Sequence, residues 1–177
     1  MEISLLVTAA ITLLTPFLTK AGEKAAETIG DKLANKATEK GIWQKVKGLF
    51  IANDDRQLIE QIESKPVATQ AEVALIENKL TKELETNPKL VEDFKAVLNI
   101  TPYNEFIVAN KLESIKRLQS EIKDLEIEME NAGIGTAGDY KNKINLQQRK
   151  LQSQITQLYQ ELGIKPEIVS NVVEMNS

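Results

Sequence analysis

Residues 133–138, Gly-Ile-Gly-Thr-Ala-Gly, have the G-x-G-x-x-G spacing with which a turn can approach the pyrophosphate of a dinucleotide. That chemistry needs a buried strand before the glycines and the helix of a parallel-sheet unit after them. The residues before them instead follow a heptad pattern that ends in Glu126, Glu128 and Glu130. We therefore interpret the glycines as helix terminators and turn formers between two helices.

Other side chains that could do chemistry are few. The 177 residues include no histidine and no cysteine, so the usual general base, thiol nucleophile and zinc ligands are all missing. A metal site made of carboxylates alone would need glutamate pairs that face inward, and the three glutamates named above lie mostly off the heptad seam. The sequence therefore predicts a protein that is not an enzyme and that binds no cofactor and no metal.

Charge is distributed unevenly along the chain. The net charge is −4, but residues 20–50 contain seven lysines and four acids, and only this segment is basic. A nucleic-acid-binding protein is expected to show a stronger basic stripe with interleaved aromatic residues. We therefore expect no nucleic-acid partner.

The elements that carry these residues are predicted to be helices, since Leu, Ile, Val and Ala occur among Glu, Lys and Gln, and aromatic residues make up only 5%. Thr69-Gln70-Ala71-Glu72 has the form of a capping box, and Asn87-Pro88 is typical of a helix start. Trp43, Val46 and Phe50 share one face of a short helix. We predict an all-α fold in which residues 1–100 form a bundle of four to five helices.

After Thr101-Pro102 the pattern changes to heptads. Two runs with alternating spacings of three and four flank the glycine turn, and they predict an antiparallel coiled-coil hairpin over residues 101–163, followed by a short tail, 164–177. Whether each seam pairs within one chain or between chains stays open. The predicted seam residues are Ile115, Leu118, Ile122, Leu125, Met129, Ile144, Leu151, Ile155, Leu158 and Leu162, with Gln148 at one further position.

Residues 3–19 contain no charged side chain. They lack the positive start and the cleavage site of a signal peptide, and with Pro16 and five hydroxyl residues they fall short of the roughly 20 apolar residues that a membrane span needs. Two interpretations stay open: a helix held permanently in the core, or one that alternates between protein and lipid. In the second, Thr8, Thr12 and Thr15 would line a pore, and the inserting residues would be Leu5, Leu6, Ile11, Leu13, Leu14, Phe17 and Leu18.

The basic segment that follows repeats every four residues. Lys32, Lys36 and Lys40 recur at this spacing, and anionic lipid headgroups would stabilise them by about 1 kcal/mol per basic residue near the surface. A solvated helix face explains the same three lysines. A ridge of small residues accompanies them and permits close helix packing: Gly22, Ala26, Gly30 and Ala34.

A pattern of small and apolar positions runs through the first hundred residues: Thr15-Pro16-Phe17-Leu18, Lys20-Ala21-Gly22-Glu23-Lys24-Ala25-Ala26, Gly30, Leu33, Trp43, Val46-Lys47, Leu49-Phe50, and then Leu80, Leu84, Asn87-Pro88, Leu90, Phe94 and Leu98. With this pattern the first hundred residues resemble bacterial Bell-type domains. Domains of this family are proposed helical-bundle executors of immune cell death, similar to HeLo-like and mixed-lineage kinase-like domains. The chain departs from the family in showing no clear amyloid motif and in carrying the heptad hairpin.

The resemblance implies a membrane-perturbing effector of a bacterial immune or cell-death system. It would be cytoplasmic at rest and membrane-associated when activated, with residues 3–19 entering inner-membrane lipids upon homo-oligomerisation and the hairpin receiving a sensor protein. The alternative is a non-enzymatic adaptor or scaffold whose apolar helix never leaves the core. In that case the hairpin is the surface that binds protein partners.

Overall fold

The computed structural model describes residues 1–19, 42–52, 55–64 and 68–163, without the side chains of 16–19, 51, 52 and 63. Within these ranges all regular structure is helical, which confirms the all-α prediction. The helices are α1 (Ile3–Thr19), α2 (Ile42–Ala52), α3 (Arg56–Ser64), α4 (Gln70–Thr86), α5 (Pro88–Val97), α6 (Glu105–Asn131) and α7 (Ala137–Glu161).

The starts of α4 and α5 follow from single side chains. The Thr69 hydroxyl accepts a hydrogen bond from the Glu72 amide at 3.1 Å, and the Glu72 carboxylate accepts one from the Thr69 amide at 3.3 Å. The predicted capping box is therefore confirmed. Asn87 ends α4 and caps α5, where its side-chain oxygen accepts from the Leu90 amide at 3.2 Å and Pro88 is the first helical residue.

Helix α1 lies at the centre of the molecule. It packs against α2, α4, α5 and α6. Its buried residues cover most of its circumference: Leu5, Leu6, Val7, Ala9, Ala10, Thr12, Leu13 and Leu14. Among residues 3–15, one narrow stripe of Ser4, Thr8, Ile11 and Thr15 is less than fully buried, and Ile3 in the first turn is half-buried. Residues 3–15, which carry no charged side chain, are therefore buried on most sides of the helix.

Helices α6 and α7 pack antiparallel. Two hydrogen bonds show this arrangement, since the Asn104 side chain bonds to the Glu161 carbonyl near one end of the pair and Gln147 bonds to Glu121 further along. The first three turns of α6 and the last turn of α7 belong to the same apolar core as α1, through Val108, Leu112, Ile115, Leu158 and Tyr159. This core therefore continues across the boundary predicted at residue 100. Toward the tip of the hairpin, the core extends as far as Ile115 of α6 and Leu151 of α7.

The far part of the hairpin extends beyond the core. From Ile115 to the end of α6 at Asn131 the helix rises about 24 Å at 1.5 Å per residue. We call residues 116–150 the arm. The glycine sequence 133–138 forms the turn at its tip and the start of α7, and it follows a helix rather than a strand. A side chain placed on Gly133, Gly135 or Gly138 would meet nothing within 4 Å.

The positive backbone angle that glycine favours occurs at the other end of α7. Gly163 has φ 74° directly after the last turn, and its amide donates to the Gln160 carbonyl at 3.0 Å. A glycine with this geometry terminates the helix, at the residue where the hairpin was predicted to end. The predicted tail, 164–177, lies outside the described residues.

Candidate functional site

The residues predicted to enter a membrane are core residues here. Leu5, Leu6, Leu13 and Leu14 are buried, and Ile11 is half-buried on the stripe described above. The side chains of Phe17 and Leu18 lie outside the described set. No helix in the ranges that the structure describes has the length and apolar content needed to cross a bilayer.

The three threonines predicted to line a pore have different environments. The Thr8 hydroxyl donates to the Ser4 carbonyl at 2.8 Å, and the Thr15 hydroxyl donates to the Ile11 carbonyl at 2.7 Å. Both lie on the partly exposed stripe. Thr12 is only 5% exposed, and its hydroxyl has no hydrogen-bond partner within the described part of the chain. The lysines predicted to meet lipid headgroups, Lys32, Lys36 and Lys40, lie outside the described residues.

A charged cluster joins the start of α1 to the start of α6. The Met1 amine donates to the Glu105 carboxylate, and the Lys95 ammonium lies 3.3 Å from the same oxygen. Lys95 also contacts Glu92 at 3.5 Å. The Met1 ammonium, together with Lys95, holds the pKa of Glu105 below its ordinary value, against the opposing effect of burial. This cluster fixes the base of the hairpin to the bundle.

Two asparagines tie the end of α7 to the loop before α6. The Asn99 side chain donates to the Leu162 carbonyl at 3.2 Å, and the Asn104 side chain donates to the Glu161 carbonyl at 3.2 Å. The Asn104 side-chain oxygen also accepts from the Thr101 amide at 2.7 Å. These bonds satisfy carbonyls that a helix end leaves without partners. They therefore hold the end of α7 against the loop before α6.

The predicted seam residues line the contact between α6 and α7. Six are buried: Ile115, Leu118, Ile122, Ile144, Leu158 and Leu162. Leu125, Met129, Leu151 and Ile155 are half-buried. The placement of Gln148 was wrong, since it is exposed, and the neighbouring Gln147 takes the inner position. The side-chain amide of Gln147 donates to the Glu121 carboxylate at 2.9 Å, and this bond holds Gln147 against α6.

The arm also carries apolar side chains that heptad analysis did not single out. Ile127 on α6 is 48% exposed, Leu146 on α7 is 54% exposed, and Ile134 at the tip is fully exposed. The heptad pattern describes only the buried side of each helix. The signal was nonetheless present, since Ile127 and Leu146 fall about half a turn away from the seam positions.

Two features of the described part of the chain concern metal binding and the ionisable hydroxyl of Tyr159. It contains no group of three acidic side chains that could hold a metal ion. The burial that raises the pKa of the Tyr159 hydroxyl places that group inside the core rather than at a surface. Searches of protein-family models, of curated proteins and of solved structures find no match to this chain.

Proposed function

We propose that the chain is a non-enzymatic assembly module, in which the bundle is a base and the arm binds protein partners. The observation that carries this proposal is the end of the core at Ile115 and Leu151, beyond which two long helices continue without support from the bundle. An isolated pair of helices adds little stability to a small domain. The arm is therefore better explained by contacts that it makes outside its own bundle.

The position of α1 also favours the adaptor hypothesis over the hypothesis that α1 inserts into a membrane. Because α1 packs against four other helices, its departure would remove the central wall of the core. Leu6 alone is 1% exposed, and losing such a side chain from a core costs about 2–5 kcal/mol. Release of a helix with eight buried residues would therefore cost a large amount of free energy, unless contacts with lipid or with other copies offset the loss.

Photo-crosslinking tests the assembly proposal. A photoreactive amino acid at Leu146 of the arm is compared with the same residue at Leu75 of α4, an apolar position that is 53% exposed and thus closely matched. We expect discrete protein adducts from position 146 in living cells and none from position 75. Equal adducts from both positions, or none from position 146, would contradict the proposal.

A membrane-perturbing effector is the second candidate, and a different observation favours it. Residues 3–15 have no charge on any face of α1, and the Thr12 hydroxyl is buried without a hydrogen-bond partner among the residues that the structure describes. A polar group in this state destabilises the core, whereas in an assembled pore it could contact water. The candidate thus requires α1 to leave the bundle when copies cluster.

Dye release from anionic vesicles tests this second candidate. If α1 enters lipid, clustered full-length protein releases dye and Leu14→Glu abolishes the release. Because Leu14 is 3% exposed, circular dichroism must show that the variant is still helical. No release by the wild-type protein under any clustering condition would remove the candidate and leave the assembly module.

A further inference from the structure

Two ten-residue segments of the arm carry opposite charge. Residues 121–130 of α6 contain five acids and one lysine, a net charge of −4, and residues 141–150 of α7 contain four bases and no acid, a net charge of +4. They lie side by side, as the bond between Gln147 and Glu121 demonstrates. Among the described residues, however, no base of the second segment forms an ion pair with an acid of the first.

Each of the two charged segments contains one exposed apolar side chain, Ile127 in residues 121–130 and Leu146 in residues 141–150. Ile127 lies between Asp124 and Glu130, three residues before and after it, and all three are exposed. We call them the acidic face. Their spacing places them on the outer side of α6, since Ile127 follows the seam residue Ile122 by five positions, or about 140°.

The outer side of α7 repeats the arrangement with the opposite sign. Leu146 lies between Lys143 and Arg149, again three residues before and after it, and all three are exposed. We call them the basic face. Leu146 follows the seam residue Ile144 by two positions, or about 200°, so the basic face points away from α6.

We propose that the acidic face binds the basic face of a second copy of this chain. On both helices the two flanking charges are six residues, or about 9 Å, apart with one apolar residue midway, so acids can meet bases while Ile127 packs on Leu146. Two acidic faces, or two basic faces, repel each other. This inference rests on the proposed assembly function and names its partner.

The arrangement predicts how copies join. Because the acidic and basic faces lie on opposite sides of the arm, each copy uses one face for one neighbour and keeps the other face free. Such a head-to-tail contact does not close as a two-fold dimer, and it continues into a ring or an open array. We therefore expect species larger than a dimer, whose association weakens as salt screens the exposed charges.

Charge reversal tests the interface by sedimentation velocity on the full chain. Asp124→Lys with Glu130→Lys makes both faces basic, and Lys143→Glu with Arg149→Glu makes both faces acidic. We expect each double variant to sediment as a monomer where the wild type associates. We expect their equimolar mixture, and the fourfold variant, to associate again. Glu77→Lys with Glu85→Lys on exposed positions of α4 is the matched control and keeps the wild-type association.

Several outcomes would overturn this interface. They are a wild type that stays monomeric at every concentration, double variants that associate like the wild type, or a mixture that stays monomeric although circular dichroism shows both variants to be folded. Because arm crosslinks to other proteins would persist in each of these cases, failure of this interface is distinguishable from failure of the assembly function.

Discussion

At the scale of single residues, Thr12 is the side chain whose environment least fits its chemistry. The Thr8 and Thr15 hydroxyls donate to carbonyls one turn earlier, whereas the Thr12 hydroxyl is buried and has no partner in the described ranges. The threonine spacing on α1 was visible in the sequence. The difference in burial was not, because it depends on which helices surround α1.

Replacing Thr12 with valine is expected to stabilise the protein by about 1 kcal/mol, because the change keeps the shape and removes a buried polar group without a partner. Urea unfolding, followed through the fluorescence of the single tryptophan, Trp43, measures the effect. Thr8→Val is the control and should change stability by less than about 0.5 kcal/mol. A less stable Thr12→Val variant would contradict this assignment.

Glu105 makes stability depend on pH. Its pKa is lower in the folded chain than the ordinary value of 4.5, chiefly through the Met1 ammonium and then through Lys95. The ionised carboxylate therefore stabilises the fold fully above pH 4.5, and this contribution is lost as the pH falls through the lowered pKa.

Glu105→Gln is accordingly expected to lower the free energy of unfolding by about 1 kcal/mol at pH 7. The difference from wild type should shrink as the pH falls below the pKa of the folded state, because the wild-type carboxyl is then neutral as well. Urea unfolding at a series of pH values measures it. A difference that stays constant down to pH 2 would show that the charge is not responsible.

At the scale of elements, the helix ends followed from the local sequence, whereas the contacts between helices did not. The capping box at Thr69 and Glu72, the Asn87-Pro88 start and the Gly163 end each depend on a few adjacent residues, and each was predictable. Gln148 was misplaced because a heptad describes spacing along one helix, while the hydrogen bond to Glu121 comes from the other helix. The outer faces of the arm were overlooked for the same reason.

The capping box gives a prediction for α4. Thr69→Ala removes the side chain that accepts from the Glu72 amide and should cost about 1 kcal/mol. Thr86→Ala is the control, because the Thr86 hydroxyl is exposed near the end of the same helix and donates to the Lys82 carbonyl. Chemical denaturation compares the two variants, and an equal loss in both would contradict a specific role for the cap.

At the scale of the whole molecule, one core holds the bundle and the base of the hairpin, and the arm extends from it. The all-α class followed from composition, but the central position of α1 could not, because a helix without charges fits either a core or a lipid environment. Both hypotheses accept α1 in the core at rest, and they differ in whether α1 leaves the core when copies of the chain assemble.

The extent of the core predicts what the arm contributes to stability. Replacing residues 120–148 with a short Gly-Ser turn should leave Trp43 buried and unfolding cooperative, with a loss below about 2 kcal/mol, because Ile115 and Leu151 stay in place. Thermal and urea unfolding measure this. Loss of the cooperative transition would contradict the division into core and arm.

Hydrogen–deuterium exchange of the full chain tests the central claim, that α1 remains in the core while the arm makes the contacts. Exchange is compared between dilute and concentrated protein, each with and without anionic vesicles. We expect slow exchange in α1 under all four conditions, and protection gained on concentration only in residues 121–130 and 141–150. Faster exchange in α1, or vesicle-dependent exchange there, would contradict the claim and favour membrane insertion.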